Sequence, residues 1–176
     1  MKTVKKLGAG NLEVMRGDIT LQPVDAFVFY AEPSLKLGSG YGGAIASRGG
    51  PEIQKELDGL APAEVCQVVV SGAGKLEAKH ILHAVGPAFQ EPELLDKLQT
   101  TTRAALAQAA ELGVDSLALP AMGAGFYGVP LADSARITLQ AARDHLHNGD
   151  KPARLVICLN DGREYDAFAN TLETLS

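Results

Sequence analysis

Apolar and polar positions alternate over 12–15 and, more loosely, over 3–7, which predicts two short strands joined through a turn at Gly8-Ala9-Gly10-Asn11. Residues 26–31 are almost continuously apolar, the pattern of a strand covered on both faces, and Glu32-Pro33 ends the run. A short helix is predicted over 42–48, closed by Gly49-Gly50, and another over 51–57 with Pro51 at its first position. Residues 65–70 and 80–85 read as strands separated by a turn at Gly72-Ala73-Gly74. Leu94, Leu95, Leu98, Ala105, Leu106 and Ala109 recur at helical spacing and predict a helix over 93–112, stopped by Gly113. A strand over 116–120, a helix over 131–147, a strand over 154–159 and a helix over 164–175 complete the order.

Strands that alternate with helices argue for an α/β layered domain, with helices on both faces of a mostly parallel sheet. The opening strand pair adds an antiparallel edge, so the sheet is expected to be mixed. A chain of 176 residues is the size of one domain, and neither a repeat nor a linker divides it. Trp is absent and aromatic residues are few, so the expected core is aliphatic.

Composition narrows the partners. The net charge is −5, and no basic cluster stands out beyond Lys5-Lys6, so DNA is not an expected partner. No stretch approaches the roughly 20 apolar residues of a membrane span, and a soluble, cytoplasmic protein without a membrane partner is expected. Cys66 and Cys158 both lie in apolar, strand-like runs and read as two buried thiols in a reducing compartment. His80 and His83 fall on opposite faces of one strand, while His145 and His147 diverge on a helix. Neither pair has further ligands to complete a set, so no metal or other cofactor is expected.

Two glycine-rich loops carry the chemistry: Gly38-Ser39-Gly40-Tyr41-Gly42-Gly43 and Gly123-Ala124-Gly125-Phe126-Tyr127-Gly128. Each follows a strand and precedes a helix, where bare N–H groups can face phosphate oxygens. Ligands of open α/β sheets gather outside the carboxyl ends of the strands, so the pair suggests a diphosphate gripped from both sides. One such loop alone serves equally well as a plain turn. Neither is a Walker motif, and neither carries the full dinucleotide fingerprint, which disfavours ATP hydrolysis and hydride transfer. Asp18, after a strand end, has two open uses: an Asx turn or helix cap, and a carboxylate that accepts from an exocyclic base amine.

The order of Arg16-Gly17-Asp18-Ile19-Thr20, Val24-Asp25-Ala26-Phe27-Val28, residues 38–45, His80-Ile81-Leu82-His83-Ala84-Val85-Gly86-Pro87 and residues 121–130 resembles the macro domain along nearly the whole chain. The resemblance implies a three-layer α/β/α sandwich around a mixed, mostly parallel sheet of six or seven strands. It also implies a cleft for ADP-ribose or a related adenine nucleotide. By that likeness Asp18 accepts from the adenine amine and the Ile19 main chain helps place the ring. Gly38, Ser39, Gly40, Tyr41 and Gly42 form the first phosphate loop. Gly123, Ala124, Gly125, Phe126 and Tyr127 form the second, with Phe126 near the distal ribose.

Two departures from the family pattern bear on activity. Members that hydrolyse ADP-ribose linkages commonly carry Asn-Ala-Ala-Asn where this chain has Phe29-Tyr30-Ala31-Glu32. Glu32 thus replaces the asparagine that contacts the distal ribose and helps organise the catalytic water. A carboxylate there can accept from a ribose diol, which makes Glu32 a binding residue. Beside a pyrophosphate its pKa would also rise, as a general base near neutrality requires. Binding with weak or no turnover is the leading expectation, because an ordered water needs several fixed partners. The alternative is hydrolysis of an ADP-ribosylated protein or of ADP-ribose-1″-phosphate with Glu32 as base. A degraded distal site would leave a smaller ligand, such as ADP or AMP. Cys158-Leu159-Asn160 also lacks the ring that many relatives set against the base, a contact whose analogues are worth about 1–3 kcal/mol.

Overall fold

The structure is a computed structural model that describes residues 1–176. β1 (Lys2–Leu7) and β2 (Gly10–Arg16) form an antiparallel hairpin in full register, Lys2 opposite Met15 and Leu7 opposite Gly10. The turn between them is Gly8-Ala9 alone, because Gly10 and Asn11 are drawn into the ladder. After β3 (Ala26–Ala31) come α1 (Tyr41–Gly49), α2 (Glu52–Asp58), β4 (Val68–Gly72) and β5 (His80–Val85). The remainder is α3 (Leu94–Leu112), β6 (Ser116–Leu119), α4 (Leu131–His147), β7 (Arg154–Leu159) and α5 (Gly162–Thr174).

The seven strands make one sheet in the order β1-β2-β7-β6-β3-β5-β4. The inner pairs, β2 with β7, β7 with β6, β6 with β3 and β3 with β5, are parallel. Both edge strands, β1 and β4, run antiparallel to their neighbours. The sequence pointed to only the first of these edges. Alternate residues of each inner strand feed two separate cores. Leu82, Leu117, Leu155 and Ile157 pack with Leu98 and Ala105 of α3, Leu139 of α4 and Phe168 of α5. On the opposite face, Phe27, Ile81, Ala118 and Val156 pack with Ile45, Ile53 and Leu57 of α1 and α2. Burial on both faces is why these strands read as apolar runs rather than as alternation.

Four local expectations are corrected. The strand expected over 65–70 starts at Val68, since the chain is still turning onto the sheet edge. Cys66 sits in that turn at a left-handed φ of 75° and is half-buried rather than in the core; its N–H reaches the Val85 carbonyl at 2.7 Å. The link from β4 to β5 spans 73–79, longer than the Gly72-Ala73-Gly74 turn. The last helix begins at Gly162 rather than 164, because Asp161 caps it by accepting from the Glu164 N–H at 2.9 Å.

Candidate functional site

β3 and β6 are parallel neighbours, so their carboxyl ends lie side by side. From β3 the chain passes to α1 on one face of the sheet, and from β6 to α4 on the other. The strand order therefore splits there, at the kind of switch point where open α/β sheets bind ligands. A cleft of about 390 Å³ opens at this place, within the usual range for small-molecule sites. Gly38, Ser39, Gly40 and Tyr41 form one wall, and Gly123, Ala124, Phe126 and Tyr127 form the other. Ile19, Glu32 and Asn160 also line it, whereas Asp18, Gly42 and Gly125 are not among the lining residues.

The two loops offer donors in series. The main-chain N–H groups of Gly38, Ser39, Gly40, Tyr41 and Gly42 donate to no group of the protein. Those of Gly123, Gly125, Phe126 and Tyr127 are equally unengaged. Such groups face outward only where a ligand or water accepts from them. Lys36 is the one cationic side chain of the lining, and its Nζ is held 2.9 Å from Asp58. The cleft thus offers main-chain amides rather than a free cationic side chain. Gly42 shows why the first loop lies where it does: an added β-carbon would sit 1.6 Å from the Leu37 carbonyl oxygen. Leu37 is itself anchored, its N–H on Gln54 Oε1 at 2.9 Å.

At one end of the cleft, Asp18 Oδ1 accepts from the Thr20 N–H at 2.9 Å and from the Thr20 hydroxyl at 2.6 Å, capping the short 3-10 turn Ile19–Leu21. Arg48 Nη1 donates to Asp18 Oδ2 at 2.5 Å and to Thr20 Oγ1 at 2.6 Å. Burial alone would raise the Asp18 carboxyl, but these hydrogen bonds and the Arg48 charge outweigh it and hold the group below the usual range. The cap is real, then, and a carboxylate with four lone-pair sites still has one unspent. Ile19, next in the chain, is in the wall of the cleft.

The other end is aromatic. Tyr30 is buried, donates to the Pro87 carbonyl at 2.6 Å, and packs on Tyr127 with ring centroids 4.3 Å apart. Tyr30 thereby supports the second glycine loop from beneath. Phe126, 88 % exposed, meets Tyr127 edge-on. Burial raises the Tyr127 phenol, with the Glu32 charge adding to it, so Glu32 lies beside this cluster. Glu32 is exposed, and the one hydrogen bond to its carboxylate comes from Ser34 Oγ at 3.2 Å.

The site includes residues given no role from the sequence. Asn160, just past β7, accepts through its carboxamide oxygen from the Tyr41 hydroxyl. Its own N–H donates to Glu164 Oε1 at 2.9 Å, and the Glu164 N–H in turn donates to Asp161 Oδ1 at the head of α5. The Asp161-x-x-Glu164 spacing was the signal for that cap, but nothing local announces Tyr41 as the partner of Asn160. Arg48 gave no signal either, since it meets Asp18 only through the packing of α1 against the segment after β2.

A three-layer α/β/α domain with an amide-lined cleft at its switch point defines the class of fold, and comparison narrows the class to a family. The Macro domain family model matches residues 30–138. A protein of Saccharolobus solfataricus is 38% identical over 170 residues, covering 92% of each chain. A macro domain-containing protein of Caldanaerobacter subterraneus subsp. tengcongensis is 34% identical over 174 residues, covering 93% of this chain and 97% of its own. Among solved structures, the Oceanobacillus iheyensis macrodomain with ADP superposes with a TM-score of 0.92 at 26% identity, covering 99% of this chain and 96% of that one. The Trypanosoma brucei macrodomain in complex with ADP-ribose gives 0.85 at 26% identity, over 92% of this chain and 68% of that one. The chain belongs to the macro domain family. None of its helices is long and apolar enough to cross a membrane.

Proposed function

We propose that this protein binds ADP-ribose or a closely related adenosine-diphosphate ligand, with little or no turnover. The observation that carries this reading is the pair of facing loops with consecutive unengaged N–H groups, raised on adjacent parallel strands. They suit a diphosphate better than a single anion, because the donors approach from two walls. Family structures that hold ADP and ADP-ribose support the same ligand class. In this reading Asp18 uses its free lone pair for the adenine amine, with Ile19 beneath the ring. Residues 38–42 and 123–127 hold the phosphates. Phe126 and Glu32 meet the distal ribose, Glu32 as an acceptor from its hydroxyls.

The surroundings of Glu32 favour binding over hydrolysis. It is exposed and has one hydroxyl partner, so little around it would fix an attacking water. Titration calorimetry with ADP-ribose, ADP and AMP tests the reading, and ADP-ribose is expected to bind tightest. The absence of both heat and a thermal shift at millimolar ligand would overturn it. Assays on an ADP-ribosylated protein and on ADP-ribose-1″-phosphate should show no turnover above background. Turnover that disappears in Glu32→Gln would replace this reading with the hydrolase.

A further inference from the structure

Resting on the adenine-nucleotide reading above, we propose that Tyr41 is the stacking surface for the purine, latched over the base end of the cleft by its bond to Asn160. Four other rings line the cleft, and each is committed elsewhere. Tyr30, Phe126 and Tyr127 form one cluster beside Glu32, and Phe29 lies edge-on to His83 with centroids 5.9 Å apart. The opposite end, where Asp18 stands, has an aliphatic wall of Ile19 and the buried Cys158. The Gly17 N–H donates to the Leu159 carbonyl at 2.9 Å, which sets Asp18 beside the end of β7. Tyr41 reaches this corner from the first glycine loop, and its hydroxyl donates to Asn160 Oδ1, one residue past β7. Burial pushes its phenol up to about 12, with Cys158, Asp18 and Glu164 adding, as expected of a ring enclosed at that end.

A ring so placed does what β7 cannot. Cys158 and Asn160 offer a base no π-face, whereas Tyr41, on the facing wall, brings one to the same place. The purine would lie between the Tyr41 ring and the Ile19–Cys158 wall, its amine edge toward Asp18. Because the Tyr41–Asn160 bond ties the first glycine loop to the end of β7 across the base end, it must open or shift as the base enters. The hydroxyl is therefore dispensable for binding and the ring is not.

The test compares Tyr41→Leu and Tyr41→Phe by calorimetry with ADP-ribose, each checked for an unchanged thermal midpoint. Loss of a base–ring stack predicts affinity weakened about 5- to 150-fold in Tyr41→Leu, with Tyr41→Phe within about threefold of the parent. Proton NMR of bound ADP-ribose should show the adenine H2 and H8 resonances moved upfield in the parent and in Tyr41→Phe, and not in Tyr41→Leu. A ring of purely structural importance would not produce that shift. Unchanged affinity in Tyr41→Leu, or unshifted adenine protons in the parent, overturns the proposal while leaving nucleotide binding intact. Absence of any binding by the parent protein overturns the underlying reading as well.

Discussion

Asp18 caps a turn of the fold and, in the proposed reading, also receives the adenine amine. Its Oδ1 caps the turn at Ile19–Leu21, a role visible in the sequence as an Asp two residues ahead of Thr20. Its Oδ2 holds Arg48, thirty positions away, which no local pattern discloses. The two roles separate in Asp18→Asn. The amide oxygen still accepts from the Thr20 N–H, while the charge that draws Arg48 and a base amine is gone. The exposed ion pair is worth at most about 1 kcal/mol, so unfolding by urea should shift by no more than that. ADP-ribose binding should weaken by about 1.5–3 kcal/mol, the scale of a hydrogen bond to a charged group. Unchanged affinity in calorimetry would leave Asp18 with the cap alone. Cys66 marks the opposite limit of local reading. Its apolar neighbours suggest a strand, but its left-handed backbone comes from the corner the chain turns before the sheet edge.

At the level of elements, periodicity gave nearly every helix and strand, because the parallel strands are buried on both faces and the long helices on one. Their order in the sheet was not legible, since it depends on which faces the crossovers take. The glycine loops illustrate a further distinction that spacing alone conceals. Gly42 is required by contact: alanine there would drive a β-carbon into the Leu37 carbonyl. Gly125 has a φ of 75° with open space around it, so it is required by backbone conformation alone. Gly125→Glu should therefore fold, at a cost of about 1–2 kcal/mol for a left-handed residue. It should lose ligand binding, because a carboxylate then projects beside the unengaged amides. Gly42→Ala should lose folded protein as well. Thermal unfolding and calorimetry on both variants check this, and normal ADP-ribose binding by Gly125→Glu would remove the second loop from the cleft.

For the molecule as a whole, the doubly covered sheet makes stability depend on pH through one buried group. His83 lies on β5 between Phe29 of β3 and Val69 of β4, 1% exposed. Its Nε2 is 2.8 Å from the Ser71 hydroxyl, and no carboxylate pairs with it. Burial lowers its pKa from 6.5 to about 4. Between those values the unfolded chain binds a proton that the folded protein excludes. Stability is complete above pH 6.5 and falls as the pH drops toward 4. At about 1.4 kcal/mol per pKa unit the loss reaches about 3 kcal/mol, a large share of the 5–15 kcal/mol typical of domains. Carboxyls held low by ion pairs, such as Asp18 and Asp144, add their own losses only at more acid pH. Urea unfolding at pH 7, 5.5 and 4.5 should show this decline in the parent and a flatter profile in His83→Gln, whose amide can still bond Ser71. Parallel profiles for the two would mean that the imidazole is protonated inside the folded protein. The sheet edge at β4 would then have to admit water, and the two-sided burial that organises the sheet would stop one strand short of it.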